Sequence, residues 1–198
     1  MIKYILTLIS LSLSISILIF SCKDSSEDVI FTKCNECDSI EKLLQKSSIG
    51  TSVEERSKYL IEAYELCGSI KQDSLRVNYL FKVSVKLLRN REYEEFKKVN
   101  TDLLKYSKDN NDSMKIADSY WNMGLYYSQI EVLDSAFYNF SKARFIFKEL
   151  GNPYYTAKME YNIAYLLRRS KNYINSEVYV FRSIKNLTNL NKEILLYR

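Results

Sequence analysis

Apolar and small residues recur along this chain at the three- and four-residue spacing of a helix face. The clearest stretch places large, small and large residues on one helical face, and the next segment repeats small, large and small. These positions are Tyr120, Met123, Gly124 and Tyr127, followed by Ala136, Phe140 and Ala143. Two helices press together closely only where both carry small residues, and Gly124 and Ala136 supply that contact. The pattern therefore predicts a tightly packed pair of helices.

The same pattern recurs with a period of forty residues. Stepping forty positions back and forward from Gly124 reaches the small residues Ser84 and Ala164. Turn-forming dipeptides recur at nearly the same interval, at Asp73-Ser74, Asp112-Ser113 and Asn152-Pro153. We therefore expect an all-α domain of helix pairs over residues 38–190, with about 3.5 repeats and no strands. The expected helices span residues 38–47, 52–67, 74–89, 92–107, 113–129, 132–150, 153–169 and 173–188.

Residues at the predicted helix ends support this division. Ser52 and Glu55 fit a capping box, in which a hydroxyl and a carboxylate each bind a free backbone N–H. Asp73 and Asp112 are expected to cap the next two first helices, and Asn152 precedes a proline at the first helical position. Gly151 lies where a left-handed closing residue belongs.

The spacing Tyr120-x2-Met123-Gly124-x2-Tyr127 with Ala136-x3-Phe140-x2-Ala143 resembles the tetratricopeptide repeat (TPR) family. The resemblance implies a solenoid of helical hairpins whose first helices line a groove for a protein or peptide partner. By the family's positions, the groove residues are Asn78, Phe81, Val85, Leu88, Asp118, Trp121, Leu125, Ser128, Lys158, Tyr161, Tyr165 and Arg168. Trp121 lies beside the apolar stripe and is expected to be partly free of the helix packing. The mixed aromatic and cationic wall would suit acidic groups or C-terminal carboxylates.

The first residues have the features of a secretory signal. A short positive start and an apolar run to Phe20 precede Ser21 and Cys22. Ile19-Phe20-Ser21-Cys22 resembles the lipobox of bacterial lipoproteins, which implies a signal peptide over 1–21 and a lipid-modified Cys22. An uncleaved membrane anchor is the alternative. The resemblance implies attachment to the bacterial envelope, at the outer membrane or the cell surface, through a flexible tether over 22–37.

Three further cysteines, Cys34, Cys37 and Cys67, would meet an oxidising environment outside the cytoplasm. A structural disulfide is the main expectation, either from Cys67 to Cys34 or Cys37, or within the C-x-x-C itself. Free thiols and a metal or redox role are the alternatives. No metal site is expected, because zinc would need two ligands beyond the C-x-x-C pair and the chain contains no histidine.

The amino-acid composition and the charge distribution argue against two classes of function. The absence of histidine removes the commonest general base, and nothing in the sequence forms an acid/base pair, so no enzyme activity or cofactor is expected. The formal charge of +5 is dispersed rather than gathered in a basic block, so nucleic acid is not an expected partner.

The C-terminal residues 191–198 fall where another first helix would begin. Ile194 and Leu195 do not form a polar cap, which indicates either shortening from a longer parent or self-association through this end. The leading interpretation is a non-enzymatic, membrane-tethered scaffold that binds a protein or peptide. Alternatives are a sensory input module or truncated remnant of a TPR-containing regulator and, less favoured, a glycan-binding lipoprotein.

Overall fold

The computed structural model describes residues 34–50 and 52–196, with side chains described as far as residue 190. The predicted signal peptide, Cys22 and most of the predicted tether lie outside the described residues. The described part forms eight helices and no strand, which confirms the all-α prediction. The helices are α1 (Asn35–Ile49), α2 (Val53–Cys67), α3 (Asp73–Asn90), α4 (Tyr93–Asp109), α5 (Ser113–Gln129), α6 (Leu133–Glu149), α7 (Pro153–Arg169) and α8 (Tyr173–Leu196).

The period of forty is visible in the structure itself. The second helices of the four pairs begin at Val53, Tyr93, Leu133 and Tyr173, at intervals of 40 residues. Left-handed backbone residues close the first helices at Arg91, Glu131 and Lys171, at the same interval. The described residues form four pairs rather than 3.5, because α1 is a full helix of 15 residues.

Most of the predicted helix ends are confirmed. Ser52, Asp112 and Asn152 each accept a backbone N–H three residues ahead, at 3.0 to 3.1 Å, and Gly151 has a left-handed φ of 63°. Asp73 was predicted as a cap, and this is wrong. The N-cap is Gln72, and Asp73 is the first helical residue, where its carboxylate instead pairs with Arg76 at 2.8 Å.

Hydrogen bonds show how the helices stack. Ser176 donates to the carbonyl of Ala164 and Ser183 to that of Ala157, so α7 and α8 run antiparallel. Within the third pair, a Cβ added to Gly124 would lie 2.5 Å from the Phe140 ring, so the backbone of α5 lies directly against α6. The small residue predicted at this contact is therefore required there.

The predicted boundary near residue 190 is not present. α8 continues without a break from Tyr173 to Leu196, so residues 191–196 do not begin a separate helix. The stretch from Thr188 to Glu193 contains no glycine or proline, and nothing in it stops a helix. At the other end, α1 begins at Asn35, three residues before the predicted start of the domain. Within the described residues, no helix has the length and apolar character needed to cross a bilayer.

Candidate functional site

The first helices of successive pairs lie side by side and form one face of the stack. Lys82 of α3 pairs with Glu41 of α1, and Asn122 of α5 donates to Ser84 of α3. Arg169, at the end of α7, donates to the backbone carbonyl of Ser128 in α5. The order α1, α3, α5, α7 is therefore continuous, and this surface, here called the inner face, is where the groove was predicted.

The predicted groove residues are unevenly accessible. Five are exposed, namely Asn78, Lys158, Tyr161, Tyr165 and Arg168. Five are half-buried, namely Phe81, Val85, Trp121, Leu125 and Ser128, and the other two, Leu88 and Asp118, are buried. The open part of the inner face therefore lies mainly on α7, where Tyr161 is 63% exposed and Tyr165 is 52% exposed.

Trp121 is half-buried, and neighbouring aromatic rings cover part of it. Its ring contacts Phe147 of α6 and Tyr155 of α7 edge-on, with centroid distances of 6.4 and 5.9 Å. The ammonium of Lys158 lies 5.3 Å from the Trp121 ring centroid and 4.9 Å from that of Tyr154. Trp121 therefore supports the junction between the third and fourth pairs, and Lys158 covers the aromatic cluster with a positive charge.

Asp118 does not offer a free carboxylate to a ligand. Its carboxylate lies 3.2 Å from the Lys115 ammonium, and the residue is 7% exposed. Burial raises the pKa of Asp118, while the neighbouring Lys115 opposes the rise. Lys115 also lies 4.5 Å from the centroid of the Phe81 ring, so the pair is part of the packing between α3 and α5.

A cavity of about 370 Å³ opens where the ends of α5 and α7 meet the turn between α3 and α4. The turn supplies an arginine, α7 supplies a tyrosine and an arginine, and α4 and α5 supply polar side chains. The lining residues are Arg91, Tyr93, Ser128, Gln129, Tyr165 and Arg169. Two of them, Ser128 and Tyr165, were predicted groove residues, so the structure places these two in one concave site.

Hydrogen bonds hold much of this cavity wall in place. Tyr93 donates to the Gln129 side chain at 3.1 Å, and Arg169 donates to Glu131 at 2.7 Å. The Arg169 guanidinium also lies 5.8 Å from the centroid of the Tyr165 ring. Arg91 is exposed and has no ion-pair partner in the described part of the chain. The cavity therefore has one fixed arginine, already paired with a carboxylate, and one unpaired arginine.

The three cysteines that the structure describes lie away from this cavity. Cys34 and Cys37 form a disulfide, which is the third of the predicted pairings, and Cys67 does not join it. Cys34 is the N-cap of α1 and Cys37 lies one turn later on the same side, so the two side chains meet directly. Burial raises the pKa of the Cys67 thiol to about 12, so this thiol stays protonated at neutral pH. Within the described ranges, no three acidic or cysteine side chains converge as metal ligands.

The sequence pointed to only part of the cavity. Arg91, Tyr93 and Gln129 were not predicted as site residues, because the prediction counted only the inward positions of the first helices. Arg91 lies in the turn that closes α3, and Tyr93 begins a second helix. The forty-residue period was the signal that could have indicated Arg91, because it places a turn residue next to the end of each first helix.

Comparison with known proteins identifies the fold. No protein-family model matches the sequence, and no curated protein matches it. Similar solved structures include BtubC from P. vanneervenii, with a TM-score of 0.64 and 15% identity, and the apo form of RapI, with a TM-score of 0.63 and 20% identity. Both are helical-repeat proteins of TPR-like type.

These likenesses reach across most of this chain but only part of each neighbour. Each match covers 77% of the chain, and it spans 63% of BtubC and 43% of RapI. At these identities the likeness shows the fold alone. It confirms the predicted TPR-like helical-repeat solenoid.

Proposed function

We propose that this chain is a non-enzymatic scaffold that binds a peptide or a segment of a protein on the inner face of its helix stack. The observation that carries the proposal is the cavity between α5, α7 and the α3–α4 turn, with aromatic and arginine side chains around it. Aromatic and arginine residues are the commonest anchors of protein interfaces. Tyr161, Tyr165 and Arg168 extend the same surface along α7.

The chemistry of the cavity favours a ligand with a carboxylate. Arg91 carries a guanidinium with no ion-pair partner among the described residues, and its planar donors match a carboxylate in a two-point hydrogen bond. Arg169 is already paired with Glu131, so it shapes the wall and presents the Tyr165 ring rather than supplying free charge. A peptide ending in the cavity would place its terminal carboxylate against Arg91 and its last side chains against Tyr165 and Tyr161.

A peptide experiment tests this assignment. We expect short peptides with free carboxyl termini, selected from a random library on the full chain, to bind about 10-fold or more tightly than their C-terminal amides. Arg91→Gln should weaken the free acid by a similar factor and leave the amide unchanged. Isothermal titration calorimetry of the two peptide forms on the two proteins measures all four affinities.

The matched control is Arg182→Gln, which removes an exposed arginine from α8 and should leave the affinity unchanged. If amides and acids bind equally and Arg91→Gln has no effect, the cavity is not a carboxylate site. A ligand that instead uses an acidic side chain would tolerate amidation but remain sensitive to Arg91→Gln.

We also propose that the scaffold is a lipoprotein of the bacterial envelope, tethered through Cys22. Support comes from the sequence: a positive start, an apolar run and Ser21 before Cys22. Mass spectrometry of the mature protein should find an N-terminus at Cys22 carrying acyl chains. Cys22→Ser should move the chain from the detergent phase to the aqueous phase on phase separation. An unmodified N-terminus at Met1 would contradict the proposal.

A further inference from the structure

The outer face of the second helices changes from charged to apolar along the stack. On α6 and α8, nine large apolar side chains are between 38% and 81% exposed. Six of them are here called the outer patch, namely Phe137, Tyr138, Phe145, Ile174, Val178 and Phe181. The positions in register with them carry lysine, glutamate and threonine on α4, and mainly lysine, glutamate and serine on α2. Ile174, Val178 and Phe181 follow the spacing of one helix face, and an exposed apolar face of this kind marks an interaction site.

The outer patch is distinct from the face that stacks one pair on the next. In α6, Phe147 stacks on Tyr155 of α7 and Arg144 pairs with Glu160 of α7, so these two residues face the following pair. The forty-residue period relates them to Leu187 and Ile184 of α8. By contrast, the counterparts of Ile174 and Phe181 on α4 are Glu94 and Thr101, which stay exposed although two pairs follow them. Another pair stacked after α8 in the same register would therefore leave the outer patch open.

The charged residues of α8 are arranged so that a second, antiparallel copy of the helix would meet them with opposite charges. Phe181 lies at the end of an exposed stripe in which Val178 comes three residues before it and Ile174 seven residues before it. Glu177 lies four residues before Phe181 and Lys185 lies four residues after it, and both are exposed. Two α8 helices crossing antiparallel at Phe181 would bring the two Phe181 rings together and place Glu177 against the partner's Lys185.

A copy of the same chain offers one suitable surface for this patch. The outer faces of α2 and α4 are charged, with Glu54, Lys58, Glu94 and Lys98 exposed, so they would place charged groups against the apolar side chains. The outer patch of a second copy is apolar and carries the complementary charges. A contact between identical patches is isologous and closes as a dimer.

We propose that the outer patch is the interface of a two-fold symmetric dimer, in which α8 packs antiparallel on the partner's α8 with the two-fold axis at Phe181. This surface lies on the second helices, away from the inner-face cavity. The dimer would therefore leave both peptide sites open and hold two of them in one assembly.

Cysteine crosslinking tests the position of the axis. In the full chain kept in mild detergent, Phe181→Cys should form an intermolecular disulfide on mild oxidation, because the two side chains meet at the axis. Asn175→Cys is the matched control, since Asn175 is exposed on α8 but points away from the stripe. It should not crosslink. The unmodified chain provides the background from its own cysteines. Equal crosslinking of both variants would overturn the proposal.

Charge reversal tests the partner's identity. Phe181→Glu should weaken the dimer about 30-fold or more, measured by analytical ultracentrifugation, because it places two carboxylates together at the axis. Glu177→Lys should weaken it less, and adding Lys185→Glu to that variant should restore the affinity. Circular dichroism checks that each variant remains helical.

Three results would overturn the dimer. The chain could remain monomeric at every concentration. The double charge reversal could fail to recover what the single change lost. Phe181→Glu could abolish binding to phosphatidylethanolamine–phosphatidylglycerol vesicles without changing the protein's mass, which would make the outer patch a membrane-contact surface.

Discussion

Phe147→Ala is expected to lower the free energy of unfolding by about 3–5 kcal/mol. The Phe147 side chain is fully buried at the end of α6. It stacks on Tyr155 at a centroid distance of 5.0 Å and meets Trp121 edge-on, so the change removes two ring contacts and leaves a cavity. Urea unfolding followed by Trp121 fluorescence measures the loss, because Trp121 is the single tryptophan and lies against the altered site.

The matched control for this prediction is two residues away on the same helix. Phe145 is 60% exposed in the single chain, so Phe145→Ala should change the stability by about 0.5 kcal/mol or less at protein concentrations at which the chain is monomeric. Both variants remove the same atoms, and the difference between them isolates burial. Equal losses for Phe145→Ala and Phe147→Ala would show that the junction between the third and fourth pairs is not packed as described.

Gly124→Val is expected to cost about 2–3 kcal/mol through overpacking. An ideal Cβ at this position lies 2.5 Å from Cδ1 and 3.0 Å from Cγ of Phe140, and the ring is almost fully buried. Valine has a better intrinsic helix propensity than glycine by only a few tenths of a kcal/mol, so propensity cannot offset the clash. Thermal and urea unfolding should both show the loss.

A second change separates the clash from any general effect of removing glycine. Gly68→Val, at the exposed C-cap of α2, meets only one carbonyl at 3.3 Å and should be nearly neutral. Combining Gly124→Val with Phe140→Ala should cost about 1–2 kcal/mol less than the sum of the two single losses, because the smaller side chain makes room. Strict additivity would mean that the two residues do not press together.

The sequence was sufficient for the fold because the signals at different levels agreed. Gly124 between large residues marked a close helix contact, and the structure shows that contact against Phe140. Asn152 and Pro153 marked a helix start, and the cap bond is present at 3.1 Å. A period of forty then transferred these local signals to repeats whose own matches were weaker.

The wrong helix ends and the undecided disulfide arose where one residue or segment was compatible with more than one local structure. Asp73 is a good N-cap residue, but it also suits the first turn, and pairing with Arg76 holds it there. The end of α8 was placed too early because the period was applied to a segment with no breaker residue. The disulfide pairing depended on where Cys34 and Cys37 lie relative to α1, which the sequence alone did not resolve.

The candidate site was harder to predict, because a cavity depends on how pairs are placed against one another. The repeat positions pointed to Ser128 and Tyr165, but whether they border open space depends on how α5 and α7 lie against each other. Trp121 shows the same limit. Its place beside the apolar stripe predicted a partly free ring, and the ring is half-buried, but the contact with Tyr155 of α7 was not predicted. The residue pattern within one repeat does not predict which side chains will contact the neighbouring repeat.

The buried residues divide into two clusters, and α5 contributes to both. Leu125 and Tyr127 pack against the cluster of the first two pairs and also against that of the last two. Anything that immobilises the end of α5, such as a ligand beside Ser128, therefore stabilises both halves at once. Binding of a ligand in the cavity should then slow the local unfolding of α1 without rearranging the helices.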